Sequence, residues 1–320
     1  MSSPSCPICG KAGQNLPIEH GKDYTIYHCS LCLGDFAETP LSVDYRQEYQ
    51  TGELSLKRLS QPVKELEEAK LFAHFTQALK FLTAFPSRGR LLNVTRATPV
   101  FSKLAEGTGF EVYTLCSVPE AITYAREGFG LKNAMAGSVD DTPPGWNNFD
   151  FVTCFEVLEH VGEPRELSNK IYELLAPGGY FVVSAPNRNR LSVVLGRRDA
   201  HDYPPNHMTR WSKEVLYTFL GGLGFTDVVV KIDGMERWDL TTILFPNKFN
   251  DSIVRRKING LSSADSNRRE FFIHSPIWRL AQSVGDAIAS AMGMTIGKRY
   301  GTFLIGFGQR PFDGIKGECR

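Results

Sequence analysis

Surplus charge of either sign is missing from this 320-residue chain: 36 lysines and arginines face 35 aspartates and glutamates, a formal net charge of +1. So even a balance gives no global field to gather nucleic acid or an anionic membrane surface, and neither partner is expected. Long apolar runs are missing too. No uninterrupted apolar stretch reaches the roughly 18 residues a bilayer-crossing helix needs, so no membrane span is expected. The opening residues, MSSPSCPICG, hold no basic segment leading into an apolar one, and no secretory signal is expected. Cysteine is sparse, seven in all, yet four stand in two close pairs. That suits a reducing compartment with a metal site better than a disulfide scaffold; the cytoplasm is the expected location. Hydrophobic residues make up 42% and charged residues 22%, enough core for one full α/β domain with appendages.

The cysteine pairs are Cys6-Pro-Ile-Cys9 and Cys29-Ser-Leu-Cys32, a CxxC…CxxC arrangement in the zinc-ribbon range. Two thiolates on each tight knuckle close a tetrahedron around Zn²⁺ at about 2.3 Å per bond. Residues 1–40 are too few to fold on an apolar core, so metal binding would supply the missing stability. A closed set of four thiolates offers no open coordination position, which makes its expected role structural. The bland alternative is four buried or adventitious thiols. His20 and His28 could substitute as ligands, but lone histidines near a four-cysteine set are more often bystanders. Residues 41–61 read as a polar linker. Pro62 to Phe85 reads as a helix, with Val63, Leu66, Leu71, Phe72, Phe75, Leu79 and Leu82 near one face.

The most informative stretch is Phe149 to Pro186, FDFVTCFEVLEHVGEPRELSNKIYELLAPGGYFVVSAP. Its ends, FDFVTCF and YFVVSA, have strand composition. Between them Leu167, Ile171, Leu174 and Leu175 keep the spacing of one buried helix face. Pro164 suits a first turn, and Pro177-Gly178-Gly179 a stop. Strand, helix and strand, with both strands continuously apolar, form a βαβ unit of a doubly wound parallel sheet. Ligands of such sheets sit beyond the carboxyl ends of the strands, where Glu156, Glu159 and His160 fall.

FDFVTCFEVLEHV with LLAPGGYFVVSAPN resembles the second half of Rossmann-like, class I S-adenosylmethionine-dependent methyltransferases. Pro204-Pro205-Asn206-His207, Arg210-Trp211-Ser212 and Gly224-Phe225 add to the likeness. It covers residues 62–235 as the core, with the family's last strand in Thr302 to Pro311, inside a 301–320 tail. The resemblance implies a seven-stranded sheet whose last strand is antiparallel, S-adenosylmethionine as cofactor, and a small-molecule acceptor. Similar chains with a zinc-ribbon extension modify sugars and surface polysaccharides. The first half departs from the family. The strand Arg90–Val94 should carry an acid and lead into a GxGxG turn, but Asn93, Thr95, Ala97 and Pro99 stand there. The second strand should end on a ribose-gripping carboxylate, and Cys116 stands there, a residue that cannot accept two hydrogen bonds. After the third strand Ser138 replaces the expected acid, leaving Asp140 and Asp141 as candidate adenine contacts. Phe155 closes the list of cofactor-binding candidates. Trp146 is either an adenine cover or a packing residue.

Glu156, Glu159 and His160 stand at i, i+3 and i+4, which on a helical turn places them on one face. Two carboxylates and an imidazole suit Mg²⁺, Mn²⁺ or Zn²⁺. The ExxEH pattern also resembles metal-assisted O-methyltransferases of ubiquinone biosynthesis and small-RNA 2′-O-methylation, in which a downstream histidine completes the site. His207 is the first candidate for it and His201 the second. Two other readings stay open: a Leu-Glu-His sequence that shapes the acceptor pocket without metal, and His160 or His207 acting as a general base. Arg188, Arg190, Arg197, Arg198, Arg210 and Lys213 form a basic cluster, suited to an anionic acceptor such as a nucleotide-linked sugar or simply a solvated loop. Residues 236–300 read as an insert with an amphipathic helix from Ile277 to about Met292, a lid, a dimer contact or core packing. Two functions compete, methyl transfer to a small hydroxylated acceptor and a non-catalytic descendant that serves as a binding or scaffold subunit; a third, a zinc-ribbon nucleic-acid modifier, would require a basic face that the sequence does not display.

Overall fold

The computed structural model describes residues 4–13, 15–39, 72–96, 99–199, 202–234 and 297–312. The linker 41–61, the first turns of the expected 62–85 helix, Ala97, His201 and nearly all of the insert lie outside the described residues. The described residues fall into two compact units. One lies within Met1–Pro186, Tyr203–Lys231 and Leu304–Arg320, the other within Asn187–Asp202 and Ile232–Phe303.

Two sheets organise the described residues. The small one has the order β1 (Asn15–His20), β2 (Thr25–Cys29), β3 (Asp35–Glu38) and β9 (Thr209–Arg210). The large one has seven strands, ordered β10 (Thr226–Ile232), β11 (Phe303–Gln309), β8 (Leu175–Pro186), β7 (Phe149–Phe155), β4 (Arg90–Thr95), β5 (Glu111–Cys116) and β6 (Asn133–Ala136). β4 pairs parallel with β5 and β7, as do β5 with β6 and β7 with β8. Gly178 donates to the Arg310 carbonyl while Gly306 lies against Val183, so β11 runs antiparallel to β8. This is the doubly wound, Rossmann-like sheet with an antiparallel last strand that the resemblance implied.

Composition explains the layers. In β7 every residue except Asp150 is buried, because both faces of a central parallel strand are covered by helices. Helices α1 (Ala73–Leu82), α2 (Val100–Glu106), α3 (Pro164–Leu174) and α4 (Lys213–Gly222) supply that cover. Pro164 sits in the first turn of α3, where its missing N–H costs nothing. The Ser212 hydroxyl caps α4 by accepting from the Val215 amide at 3.3 Å. One apolar cluster joins Leu82, Leu91, Phe101, Phe151, Phe155, Val182 and Ile305 across the sheet. β4 has β5 on one side and β7 on the other, and the chain reverses direction of winding there. The crevice beyond the carboxyl ends of β4 and β7 is therefore the place for a ligand.

Candidate active site and cysteine centre

β7 delivers the residues of interest to that crevice. Glu156 follows the strand with φ +54°, a conformation few side-chain-bearing residues adopt, and its amide donates to the Ser184 carbonyl at 3.2 Å. The left-handed residue breaks the helical spacing that would have put Glu156 beside Glu159 and His160. Only Leu158–His160 form a helical turn, of 3₁₀ type. Glu156 points instead toward α1, where its Oε1 lies 3.9 Å from Nε2 of His74. His74 is 1% exposed, and burial pushes its pKa down to about 3. The contact therefore joins a neutral imidazole to a carboxylate and is not an ion pair.

Glu159, His160 and His207 come together. One ligand atom from each lies within 4.8 Å of the others. Glu159 is buried and its Oε1 is 3.6 Å from His160 Nε2; the two imidazole rings meet edge-on at 4.9 Å. His160 Nδ1 is 2.6 Å from the Asn206 carbonyl. A carbonyl only accepts, so Nδ1 carries the proton and the neutral ring turns the Nε2 lone pair toward Glu159. Burial, then the charges of Arg96 and His207, hold the His160 pKa well below the usual histidine range, which keeps the ring neutral at pH 7. A neutral imidazole with Nδ1–H on a backbone carbonyl is the orientation found behind metal-ligating histidines. The same lone pair suits a general base.

The four cysteines also converge, between the β1–β2–β3 sheet and its two knuckles. Cys6 Sγ lies 3.7 Å from Cys32 Sγ, and Cys9 Sγ 3.8 Å from Cys29 Sγ. These distances exclude disulfides. A tetrahedral Zn²⁺ with bonds of about 2.3 Å has sulfur–sulfur edges of about 3.8 Å, so the thiols fit that ion. Hydrogen bonding to Cys32, then burial, pushes the Cys6 thiol up, and the same bond lowers Cys32 to about 5. His28 is bonded to Asp35 at 2.7 Å and His20 to Thr25 at 3.2 Å.

The cofactor candidates are placed less uniformly. Asn93 is buried and turned inward: it donates to Ser102 Oγ and accepts from Thr153 Oγ1, both at 2.9 Å. Ser102 Oγ accepts from Thr114 in turn at 2.8 Å. Asn93 therefore belongs to a buried polar network of β4, β5, β7 and α2. Cys116 is 1% exposed, and its thiol donates to the Arg96 carbonyl at 3.1 Å; it ties the β4 turn to β5. Thr95 ends β4, half-buried at the crevice. Phe155 packs on Phe101 at 4.6 Å and Phe75 at 5.3 Å. The Asp141 carboxylate accepts from the Ser138 amide and hydroxyl at 2.7 and 2.8 Å, which holds its pKa below the ordinary value. Asp140 pairs with Lys170 at 2.7 Å. Trp146 packs on Tyr113 beside Arg90, the first residue of β4, at the end of the sheet opposite the crevice. It does not cover an adenine there. Of the basic cluster, Arg190 is paired with Asp202 and Arg210 with Glu19 at 3.2 Å. Reading the residues alone assigns no role to His74, Arg96 or Asn206; for Asn206 the PPNH run that contains it was the available signal.

A doubly wound seven-stranded sheet with Glu156, Glu159 and His160 past the end of β7 defines an α/β protein of Rossmann-like fold. Residues 67–230 match the profile of the methyltransferase domain family, and the chain belongs to that family. The ubiquinone biosynthesis O-methyltransferase of Psychrobacter cryohalolentis is 42% identical over 66 residues, covering 17% of this chain and 26% of the relative. Its namesake from Coxiella burnetii is 32% identical over 95 residues, covering 25% and 38%. The chain thus spans about a quarter to two fifths of these relatives. Among solved structures, Haemonchus contortus phosphoethanolamine N-methyltransferase 2, in complex with S-adenosyl-L-methionine, superposes with TM-score 0.51 at 14% identity over 92% of this chain and 71% of that one. Its complex with phosphomonomethylethanolamine and S-adenosylhomocysteine gives TM-score 0.53, also at 14% identity; at that identity the likeness speaks to the fold. Among the described residues no helix is long and apolar enough to cross a membrane.

Proposed function

We propose that this chain is an S-adenosylmethionine-dependent O-methyltransferase of a small hydroxylated acceptor, a sugar or nucleotide-sugar, working in the cytoplasm. The observation that carries the reading is the convergence of Glu159, His160 and His207 at the crevice, with His160 held neutral and its Nε2 lone pair on the side of the ring away from the Asn206 bond. His160 Nε2 or His207 takes the proton of the acceptor hydroxyl, and the Asn206 carbonyl, accepting from Nδ1–H, holds the His160 ring for it. The same donor set also fits Mg²⁺ or Mn²⁺, which would supply a Lewis acid lowering the hydroxyl pKa. S-adenosylmethionine, bound past β4 and β7, would supply an electrophilic methyl group. The exposed side of the Glu156 carboxylate suits its positive charge, and Thr95, the Arg96 carbonyl, Phe155, Asp140 and Asp141 border its place. Cys116 stands where a ribose carboxylate is expected, and its thiol donates to the Arg96 carbonyl. Residues 1–40 are read as a zinc ribbon with Cys6, Cys9, Cys29 and Cys32 holding structural Zn²⁺. After a linker, the catalytic core is residues 62–235, with an insert at 236–300 and a final strand and tail at 301–320.

Calorimetric titration with S-adenosylmethionine and S-adenosylhomocysteine tests this. Micromolar binding, about −8 kcal/mol, is expected, followed by methyl transfer to hydroxylated acceptors in the presence of Mg²⁺ or Mn²⁺. Absence of binding up to millimolar would overturn the reading and redirect the search to protein partners.

A further inference from the structure

The four-cysteine module and the crevice are joined by a row of backbone hydrogen bonds. β3 pairs antiparallel with β9, Asp35 opposite Arg210 and Phe36 opposite Thr209. One residue along, the Ala37 amide donates to the Met208 carbonyl at 2.7 Å, and the Met208 amide donates to the Glu159 carbonyl at 2.6 Å. Thr209 Oγ1 donates to the Leu158 carbonyl at 3.0 Å, and His160 Nδ1 to the Asn206 carbonyl. Residues 206–209 are thus a middle strip, with β3 on one side and the Leu158–His160 turn on the other. Side chains close the same seam. Arg210 reaches Glu19 of β1 and lies over the Tyr203 ring at 5.0 Å. Gly34, just past the second cysteine knuckle, has no room for a Cβ: one would stand 2.6 Å from Ile8 and 3.2 Å from Val215 of α4.

We propose that the four-cysteine module is the positioning frame of the Glu159–His160–His207 group, with β3 setting the register of residues 206–209 and those residues setting the turn that carries Glu159 and His160. The inference rests on the reading that this group activates the acceptor. β9 is two residues long, too short to hold a register unaided. β3 begins three residues after Cys32, so a metal-closed knuckle stiffens the edge that does hold it. Asp35, Phe36 and Ala37 are then positioning residues that act through His207 and Glu159 without touching substrate.

Ala37→Pro cuts this link while leaving the four thiols in place. In an antiparallel strand the N–H and C=O of one residue point to the same side. The Ala37 amide faces Met208, so proline removes that donor and spares the β2 pairing. In the 320-residue variant, zinc is expected to stay at the parent's stoichiometry. The Met208 amide should exchange at least tenfold faster, the His160 and His207 imidazole resonances should shift, and Mn²⁺ affinity should fall about 10- to 100-fold, as for lost metal-orienting contacts. Cys29→Ser should reproduce the exchange and resonance changes by releasing the ion. Met208 exchange and both imidazole signals matching the parent in the two variants would overturn the frame. If the parent chain itself binds no Mn²⁺, the metal reading of the group fails, while amide exchange and imidazole shifts still decide the frame. Should the proline variant not fold, Arg210→Ala, which releases Glu19 and Tyr203, should give the same changes at a smaller amplitude.

Discussion

The four-cysteine centre and the Glu159–His160–His207 group lie in the same compact unit and differ in almost everything else. The first brings four soft ligands of one kind from two knuckles, with sulfur–sulfur edges of 3.7 and 3.8 Å. Such a set fills a tetrahedron and leaves no coordination position for a substrate. The second brings one carboxylate and two imidazoles from segments almost fifty residues apart in sequence, and three ligands leave an open side. One arrangement suits holding a chain, the other suits acting on a molecule. Their partners differ accordingly: the thiols mostly see one another, whereas His160 is oriented by a carbonyl and Glu159 by an amide on the strip beside β3.

The largest effect should come from breaking the closed site. Cys29→Ser would remove one of the four proposed zinc ligands, and structural zinc in small modules carries apparent binding energies of about 10–16 kcal/mol. The variant should lose its zinc by metal analysis and its β1–β3 amide protection by hydrogen exchange. Retention of zinc at the parent's stoichiometry would contradict a site built on all four cysteines. Breaking the open site should do the reverse. Glu159→Gln keeps shape and zinc content but removes the anion that faces Nε2. Methyl transfer should fall by about two orders of magnitude or more, the range of lost acid–base or metal assistance, with little change in melting temperature. Equal activity in Glu159→Gln, His207→Ala and the parent would remove the group from the chemistry.

A third contrast concerns protons. His74 and His160 are both held below their ordinary pKa by burial. For His74 the folded value is about 3 against an unfolded value of about 6.5. Between these the unfolded chain binds more protons, so stability rises with pH. The contribution is fully present above about 6.5 and is lost as pH falls toward 3, with a slope of up to about 1.4 kcal/mol per pH unit for one histidine. His74→Phe should flatten that slope by about one proton in denaturant titrations at pH 4 to 6, leaving the share of His160. An unchanged slope would mean that His74 is not buried neutral.

How much of this the sequence disclosed depends on distance along the chain. The second half of the sheet was legible, because FDFVTCF and YFVVSA are continuous apolar runs flanking one amphipathic helix. The cysteine tetrad was legible from spacing alone. The Glu159–His160 pair was visible in its motif, but the expectation that Glu156 joins it assumed helical dihedrals, and the φ of +54° at that residue voids the assumption. The β3–β9 pairing left no trace. A two-residue strand has no periodicity, and its partner lies about 170 residues earlier. Asn93 and Cys116 were read as cofactor contacts from position in the family pattern. Strand alternation alone does not say which polar residue faces the crevice and which joins an inner network.

Cys116→Asp probes that last ambiguity and should give the smallest effect. The thiol is 1% exposed and donates to the Arg96 carbonyl. An ionised carboxylate at this point sets an acceptor against an acceptor in a place with little water. Buried there the carboxyl would take up a proton and donate to the Arg96 carbonyl in the thiol's place, so the cost is that of a poorly fitted polar group, about 1–3 kcal/mol by mutational standards, unless the turn after β4 swings away and lets the ionised carboxylate reach the crevice. The two outcomes separate by adding S-adenosylhomocysteine. A lower melting temperature that the ligand does not restore means Cys116 serves only to pin the turn. A lower melting temperature with a larger ligand-induced rise than the parent shows means the position still overlooks the ribose, and that the parent chain exchanged a grip on the cofactor for a fixed β4 turn.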